Sequence, residues 1–151
     1  MVIAEWVQEK AAYDWIEARL GYPMGPNTQL IGVRTDTGYA GIVSFGGWMG
    51  RTMTGLGIAV DDERAMLPLI RASAIYLFRQ LRAEAVYTTV SGKRLEWQAS
   101  LRRVLGFREV DRVRNGYGPG DDFVVMKITA ATCRPWQAFL AKQRRQLLEV
   151  A

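Results

Sequence analysis

The chemistry open to this chain is limited first by the side chains that it lacks. The sequence contains no histidine and a single cysteine, Cys133. Internal disulfides, the common Cys/His zinc sites and histidine-based triads are therefore excluded, and we expect no metal cofactor. Any general base must be a carboxylate, a tyrosine, a lysine, a backbone group or water.

Charge is unevenly distributed along the chain. Residues 1–63 carry four basic and eight acidic side chains, whereas residues 64–151 carry sixteen and seven, within a net charge of +5. Most of the cations are arginines, which suit bidentate contacts with phosphate and carboxylate. The basic part is either a face for an acidic partner or an ordinary solvated surface. Nucleic acid is one possible partner, although no nucleic-acid-binding motif is present.

The spacing of apolar residues predicts one α/β domain, large enough at 151 residues to bury a core without disulfides. The N-terminus lacks the basic start and apolar run of a signal peptide, and no segment has the roughly 20 apolar residues that span a bilayer. We therefore expect a soluble, intracellular protein without membrane contact. The predicted order is helix 8–20, strands 29–34, 39–45 and 51–60, helix 65–82, strand 85–90, helix 94–105, strands 107–114 and 123–129, and helix 136–150.

Glycines and apolar residues refine this prediction at four places. Gly46 and Gly47 are expected to form a hairpin turn. Gly55 and Gly57 indicate either a β-bulge or close packing of a helix across the sheet. The long helix is expected to bury Leu67, Ile70, Ala74, Leu77, Phe78 and Leu81.

The most specific signal lies in residues 86–129. They form a predicted strand, an amphipathic helix closed by Leu105-Gly106-Phe107, and a hairpin that turns within 115–122. This order resembles the C-terminal half of the GNAT superfamily of acyl-CoA-dependent N-acetyltransferases, and the order of the whole chain resembles the GNAT arrangement. The resemblance implies an α/β fold with a mixed central sheet flanked by helices, as a GNAT-like domain over 1–131 with a C-terminal helical extension over 132–151. It also implies acetyl-CoA as donor and a protein amine or small amine as acceptor.

More narrowly, the chain resembles the short GNAT-like proteins of tailed bacteriophages. The resemblance implies a phage origin, and a location in the cytoplasm of the infected host cell or within the virion. The matching segments are Tyr76-Leu77-Phe78, Gly120-Asp121-Asp122, Val124-Val125-Met126 and Cys133-Arg134-Pro135-Trp136.

The segment that should bind the CoA pyrophosphate departs from the family pattern. GNAT enzymes have a Gln/Arg-x-x-Gly-x-Gly/Ala loop there, whose backbone amides and following helix N-terminus hold the phosphates. Here residues 61–68 contain no glycine and begin with Asp61, Asp62 and Glu63. At about 4 to 7 Å, each carboxylate would repel a phosphate by a few kcal/mol at an effective dielectric of roughly 20. Alternatively, these acids only cap the helix.

We therefore predict that acetyl-CoA binds weakly or not at all, with a dissociation constant above about 100 µM. By the resemblance, the end of the central strand and nearby arginines would bind this cofactor. These candidates are Gly57, Ala59, Val60, Arg64, Arg71 and Arg102.

Two catalytic positions of the family are also changed. The helix-opening asparagine of the family corresponds to Leu95, and the tyrosine that protonates the departing thiolate corresponds to Arg102. An arginine cannot act as that acid, because its guanidinium keeps its proton at neutral pH. The catalytic candidates that remain are Tyr87, Tyr117 and Glu96, with Tyr39, Asp121 and Asp122 as further possibilities.

The predicted last helix is amphipathic and basic, so it either packs on its own domain or docks on a partner. Two functions therefore remain open. One is an acyl-CoA-dependent N-acetyltransferase with an atypical cofactor loop, and the other is a non-catalytic virion or assembly component, or a binder of a host protein. The helix sets Trp136, Phe139, Leu140, Leu147 and Leu148 against Lys142, Arg144 and Arg145.

Overall fold

The computed structural model describes residues 2–150, which form a sheet of seven strands with four helices. A 3-10 turn, Glu63–Ala65, leads into α2, and π-helical segments at Ile75–Gln80 and Leu101–Leu105 continue α2 and α3. In chain order the elements are β1 (Ala4–Trp6), α1 (Lys10–Leu20), β2 (Gln29–Thr35), β3 (Gly38–Met49), β4 (Thr52–Val60), α2 (Met66–Ala74), β5 (Ala85–Ser91), α3 (Leu95–Ser100), β6 (Arg108–Gly118), β7 (Asp121–Ile128) and α4 (Arg134–Val150).

The strands lie in the order β1-β2-β3-β4-β5-β7-β6, and only β4 and β5 run parallel to each other. One small core joins α1 to the first strands through Ala12, Ile16 and Ile42. A larger core packs α2, α3 and α4 together against the sheet. The predicted α/β domain with a mixed central sheet and an added terminal helix is confirmed.

The junction between α3 and β6 has the predicted geometry. Gly106 ends the helix with φ 96°, and its N–H donates to the carbonyl of Leu101 at 3.0 Å. A β-carbon at Gly106 would clash with the carbonyl oxygen of Thr132, so this position needs glycine for space as well as for conformation. Phe107 follows directly and is buried, as predicted.

Along the long helix, the predicted buried face is partly wrong. Leu67 and Leu81 are exposed, whereas Leu69, which was not predicted, is almost fully buried. Leu81 follows the π-helical segment Ile75–Gln80, whose extra residue shifts it off the predicted face. Leu67 lies before that segment, in regular α-helix two residues from the buried Leu69, and so faces the opposite side. A single apolar stripe with a period of 3.6 residues therefore cannot describe the buried face at both ends of the long helix.

The glycines of β3 and β4 also differ from expectation. Gly46 and Gly47 are not the turn, because β3 continues to Met49 and the chain turns at Gly50, with φ 62°. Pairing between β3 and β4 keeps one register throughout, so neither Gly55 nor Gly57 marks a bulge between these strands. Close packing is the correct alternative for Gly57, where a β-carbon would lie 2.8 Å from Leu20 Cδ1 of α1.

The terminal helix α4 packs on the domain only through its first half. Trp136 is buried, and Phe139 and Leu140 are half-buried against the larger core. Farther along, Leu147 and Leu148 are 72% and 77% exposed. Among residues 2–150, no helix is both long and apolar enough to cross a membrane.

Candidate functional site

The parallel strands β4 and β5 diverge and open a cleft in the sheet. They pair only at Thr52 with Ala85 and at Met53 with Val86. Beyond that point, the Thr88 hydroxyl donates a hydrogen bond to the Leu56 carbonyl at 2.8 Å. The gap, which we call the cleft, has a volume of about 210 Å³. Strand edges that separate in this way leave backbone groups that can pair with an extended ligand.

Three other elements complete the walls of the cleft. The end of α1 contributes Arg19 and Leu20, and the loop after it contributes Tyr22. On the opposite side, α3 contributes Arg94, Trp97 and the first residue of its π-helical continuation. The hairpin of β6 and β7 contributes Tyr117.

One part of the cleft, which we call the hydroxyl end, is lined by side-chain hydroxyl groups. They belong to Tyr22, Tyr117, Thr89 and Ser91. The Tyr117 hydroxyl donates to Thr89 Oγ1 at 3.0 Å, and the Ser91 hydroxyl donates to the Asp121 carboxylate. Burial, with a smaller contribution from Tyr117, raises the pKa of Tyr22 above its ordinary value. Tyr22 is therefore a neutral hydrogen-bond donor at pH 7 and not a base.

A second part of the cleft, which we call the arginine end, lies where β4 ends. Arg19, Asp61, Arg94 and Trp97 surround an opening of about 320 Å³ beside Ala59 and Val60. Asp61 accepts from Arg19 Nη2 at 2.7 Å and from Arg19 Nε at 3.0 Å. These hydrogen bonds lower the pKa of Asp61, which is therefore ionised at neutral pH.

Backbone donors at the start of α2 are already engaged within the chain. The N–H groups of Asp61 and Asp62 both donate to the Ala40 carbonyl, at 2.8 and 3.1 Å. The N–H of Arg64 donates to Asp62 Oδ1 at 3.0 Å, so Asp62 caps the helix, in agreement with the capping alternative. A pyrophosphate would have to displace these bonds next to ionised carboxylates. This segment therefore does not fit the pyrophosphate of CoA.

Four of the sequence-predicted residues meet at the cleft. Gly57 and Tyr117 line the main opening. Ala59 and Val60 line the arginine end. The absence of a side chain at Gly57 leaves room for Ser44 Oγ and Leu20 Cδ1, with which a β-carbon would clash, while the Tyr22 hydroxyl would lie at an ordinary contact distance of 3.5 Å.

Other catalytic candidates lie apart from these residues. Tyr87 is half-buried on β5, with Lys127 Nζ 5.9 Å from its ring centroid. Glu96 is exposed on α3 and lines a shallow depression. Tyr39 donates its hydroxyl to Glu9 near α1.

Two of the arginine candidates and the last acidic candidate also have partners elsewhere. Arg64 pairs with Asp62 at 2.7 Å, and Arg102 lies 3.7 Å from Glu109. Asp122 accepts from the Asn115 N–H at 2.9 Å in the β6–β7 hairpin. Arg71 is exposed on α2.

Arg19, Tyr22, Arg94 and Trp97 were not predicted as site residues. Each comes from an element distant in sequence from β4, and the cleft brings them together through tertiary packing alone. Only Tyr22 had a local signal, since it follows the helix-ending Gly21 at the start of a glycine- and proline-rich loop. Within residues 2–150, no group of three or more acidic or cysteine side chains is arranged to hold a metal ion.

Comparisons with known proteins identify the fold. No protein-family model matches the chain, and no curated protein does. Among solved structures, the spermidine/spermine N-acetyltransferase SpeG of Vibrio cholerae is 14% identical with a TM-score of 0.68, over 87% of this chain and 96% of that one. The ribosomal-protein-S18-alanine N-acetyltransferase of Escherichia coli is 21% identical with a TM-score of 0.63, over 85% and 94%.

A third structure, of a protein described as an acetyltransferase, is 19% identical with a TM-score of 0.60. The match covers 72% of this chain, which spans only 60% of that protein. At these identities the likeness concerns the fold and not the activity. The chain has the GNAT fold, as the sequence predicted.

Proposed function

We propose that this protein is an N-acyltransferase that binds a pantetheine thioester in the cleft and transfers its acyl group to an amine. The observation that carries the proposal is the divergence of β4 and β5, which exposes strand edges beside two tyrosine hydroxyls. An extended arm that contains amide groups can pair with such an edge. The hydroxyl end then lies next to the reacting thioester.

In the proposed reaction the amine nitrogen attacks the thioester carbonyl carbon, the C–S bond breaks, and the sulfur leaves with a proton. Tyr22 and Tyr117 are the candidates to donate that proton, because both carry hydroxyls in the cleft. Asp121, which is bonded to Ser91 at the same end, is the candidate to receive the amine proton through an ordered water. The tyrosine is reprotonated from solvent and Asp121 releases the amine proton to solvent, so the sum is one acyl group moved from sulfur to nitrogen and one proton moved from the amine to the thiol.

The acceptor is proposed as a small amine or a protein amine. Support comes from the two named structural neighbours, one of which is called a spermidine/spermine and the other a ribosomal-protein-S18-alanine N-acetyltransferase. The donor is proposed to be bound mainly by its pantetheine part, which is supported by the backbone N–H groups of Asp61 and Asp62 already donating within the chain. Acetyl-CoA is therefore expected to bind with a dissociation constant above about 100 µM.

The proposed function is tested by measuring thiol release from acetyl-CoA and from acetyl-pantetheine with spermidine and with an alanine-terminated peptide. Tyr117→Phe is expected to lower kcat about 100-fold, because loss of a general acid removes a catalytic proton transfer. Tyr87→Phe is the matched control, since Tyr87 lies on the same sheet beside Lys127, and should leave kcat unchanged. No thiol release by wild type, or full activity in both Tyr117→Phe and Tyr22→Phe, would contradict the proposal. A low-micromolar dissociation constant for acetyl-CoA by calorimetry would contradict the weak binding alone.

A second function is favoured by the outer half of α4. Exposed Leu147 and Leu148 stand there beside exposed Lys142, Arg144 and Arg145. This surface supports the alternative of a non-catalytic protein that binds an acidic phage or host protein. The phage-like segments of the sequence support a phage origin, with a place in the infected cell or in the virion.

A further inference from the structure

We propose that the arginine end of the cleft is an anion site that Asp61 fills from within the chain, and that removal of this carboxylate opens it to a phosphate ester. The proposal deepens the proposed function, on which it rests for the nature of the ligand that would extend from the cleft. The ligand class is a pyrophosphate or phosphate monoester attached to the far end of an extended thioester.

Two arginines converge at the arginine end of the cleft. Arg19 from α1 and Arg94 from the start of α3 line the same opening, which continues directly into the cleft. Arginine presents a planar set of N–H donors that matches the oxygens of a phosphate or carboxylate. Two such groups at one end of a cleft form a site for an oxyanion.

Asp61 occupies the N–H donors of Arg19. Its carboxylate accepts from Nε and Nη2, the two groups that would form a bidentate pair with a phosphate. The remaining Nη1 donates to the Trp15 carbonyl at 3.0 Å, and the guanidinium lies 3.6 Å from the Trp15 ring centroid. Arg19 is therefore held in place with its donors engaged, and the anion that engages them belongs to the protein.

Asp61 differs from its neighbour Asp62 in the arginine that it contacts. Both carboxylates lie in the same loop, but Asp62 pairs with Arg64 and caps the helix, outside the opening. Loss of charge at Asp62 would weaken general repulsion of an anion without freeing an arginine of the cleft. Loss of charge at Asp61 would do both, and this difference makes the proposal testable.

The experiment compares wild type, Asp61→Asn and Asp62→Asn by calorimetric titration with inorganic pyrophosphate, acetyl-CoA and acetyl-pantetheine at low ionic strength. Asp61→Asn is expected to bind pyrophosphate and acetyl-CoA about tenfold more tightly than wild type, because a charge-assisted bidentate contact becomes available. Asp62→Asn should change either affinity by about twofold at most, as an exposed charge does. Acetyl-pantetheine, which has no phosphate, should bind all three proteins equally.

Adding Arg19→Met to Asp61→Asn should abolish the gain, which assigns it to the arginine. The proposal would be overturned by any of three results. These are an equal gain of pyrophosphate affinity in Asp62→Asn, an unchanged affinity in Asp61→Asn, and a gain of affinity that remains after Arg19→Met is added. Thermal melting of each variant checks folding, and Asp61→Ala serves as the second variant if Asp61→Asn does not fold. The experiment measures binding and not acyl transfer, so the two proposals are tested separately. Asp61→Asn can show no gain in anion affinity although the protein transfers acyl groups, and it can show the gain although the protein transfers none.

Discussion

One buried hydroxyl under α2 stands apart from the other polar side chains. Among the residues that the structure describes, Ser73 Oγ is the buried side-chain polar atom without a hydrogen-bond partner. It lines an apolar cavity of about 50 Å³ together with Leu69, Phe107 and Cys133. A buried polar group without a partner costs free energy, whereas an apolar group at the same place does not.

Ser73→Ala is therefore expected to raise the free energy of unfolding by about 1 kcal/mol, measured by urea denaturation. Thr88→Val is the control, and its expected effect on the free energy of unfolding is the opposite one, because the buried Thr88 hydroxyl donates to the Leu56 carbonyl. That change should lower the free energy of unfolding by about 1 kcal/mol. A destabilised Ser73→Ala protein would show that the hydroxyl has a partner after all.

Cys133 lines the same cavity, and its thiol is expected to make the free energy of unfolding depend on pH. Burial raises the pKa of its thiol from 9.0 to about 11. The unfolded chain loses this proton near pH 9 and the folded chain does not, so the contribution to stability is fully present below pH 9 and is lost as the pH rises to about 11. We expect the free energy of unfolding to fall over this interval, and to fall less steeply in Cys133→Ala. Equal slopes in the two proteins would contradict the assignment.

At the scale of elements, the packing of Phe107 ties α3 to the sheet. The ring is buried directly after the helix-ending Gly106 and lines the cavity beneath α2. Phe107→Ala should therefore cost about 3 to 5 kcal/mol of unfolding free energy, as truncation of a core aromatic residue does. Arg108→Ala, one residue later and exposed, is the control and should change stability by less than about 0.5 kcal/mol. A small effect at Phe107 would mean that this junction does not hold the two elements together.

Local sequence patterns predicted the ends of helices correctly where a single glycine determines the backbone conformation. Gly21 and Gly106 end their helices in the left-handed conformation, as glycines after an apolar repeat should. The pattern failed at Leu81, because the preceding π-helical segment changes the period. It failed at Leu67 because the buried face of the α-helical part is set by Leu69, which lies on the opposite side of the helix. It also failed at Gly46 and Gly47, which remain in β3 because the β3–β4 ladder continues past them.

The candidate site was less predictable from sequence than the fold. Gly57 could be proposed because the family resemblance places the cofactor at the end of the central strand, and Tyr117 because it is one of the few side chains of this sequence that can do acid–base chemistry; both line the cleft. Arg19 and Arg94 could not, since an arginine near the end of a helix is usually a solvated side chain. Their role depends on the exact meeting of α1, α3 and β4, which no local pattern encodes.

Across the whole molecule, the N-terminal acids are largely engaged with nearby cations. Arg34 contacts Glu5 and Glu9, and Arg19 contacts Asp61. The net positive charge of the molecule therefore lies in the C-terminal part of the chain. That part of the chain ends in the second half of α4. Exposed leucines beside arginines are the usual composition of a protein interface, with apolar anchors and a charged rim.

If the protein is an assembly component, the second half of α4 should contact an acidic partner. Replacement of Lys142, Arg144 and Arg145 by Glu should then weaken partner association and leave Tm nearly unchanged, because exposed charges contribute little to folding. Replacement of Arg71, Arg79 and Arg103 by Glu is the control and should leave association intact. It is an equal change of charge at exposed positions on α2 and on the π-helical continuations of α2 and α3. Pull-down from phage-infected cells and sedimentation measure association, while thermal melting measures folding. A wild-type protein that stays monomeric at high concentration, captures no partner and acetylates an amine would contradict the assembly hypothesis and leave α4 as a covering helix of an enzyme.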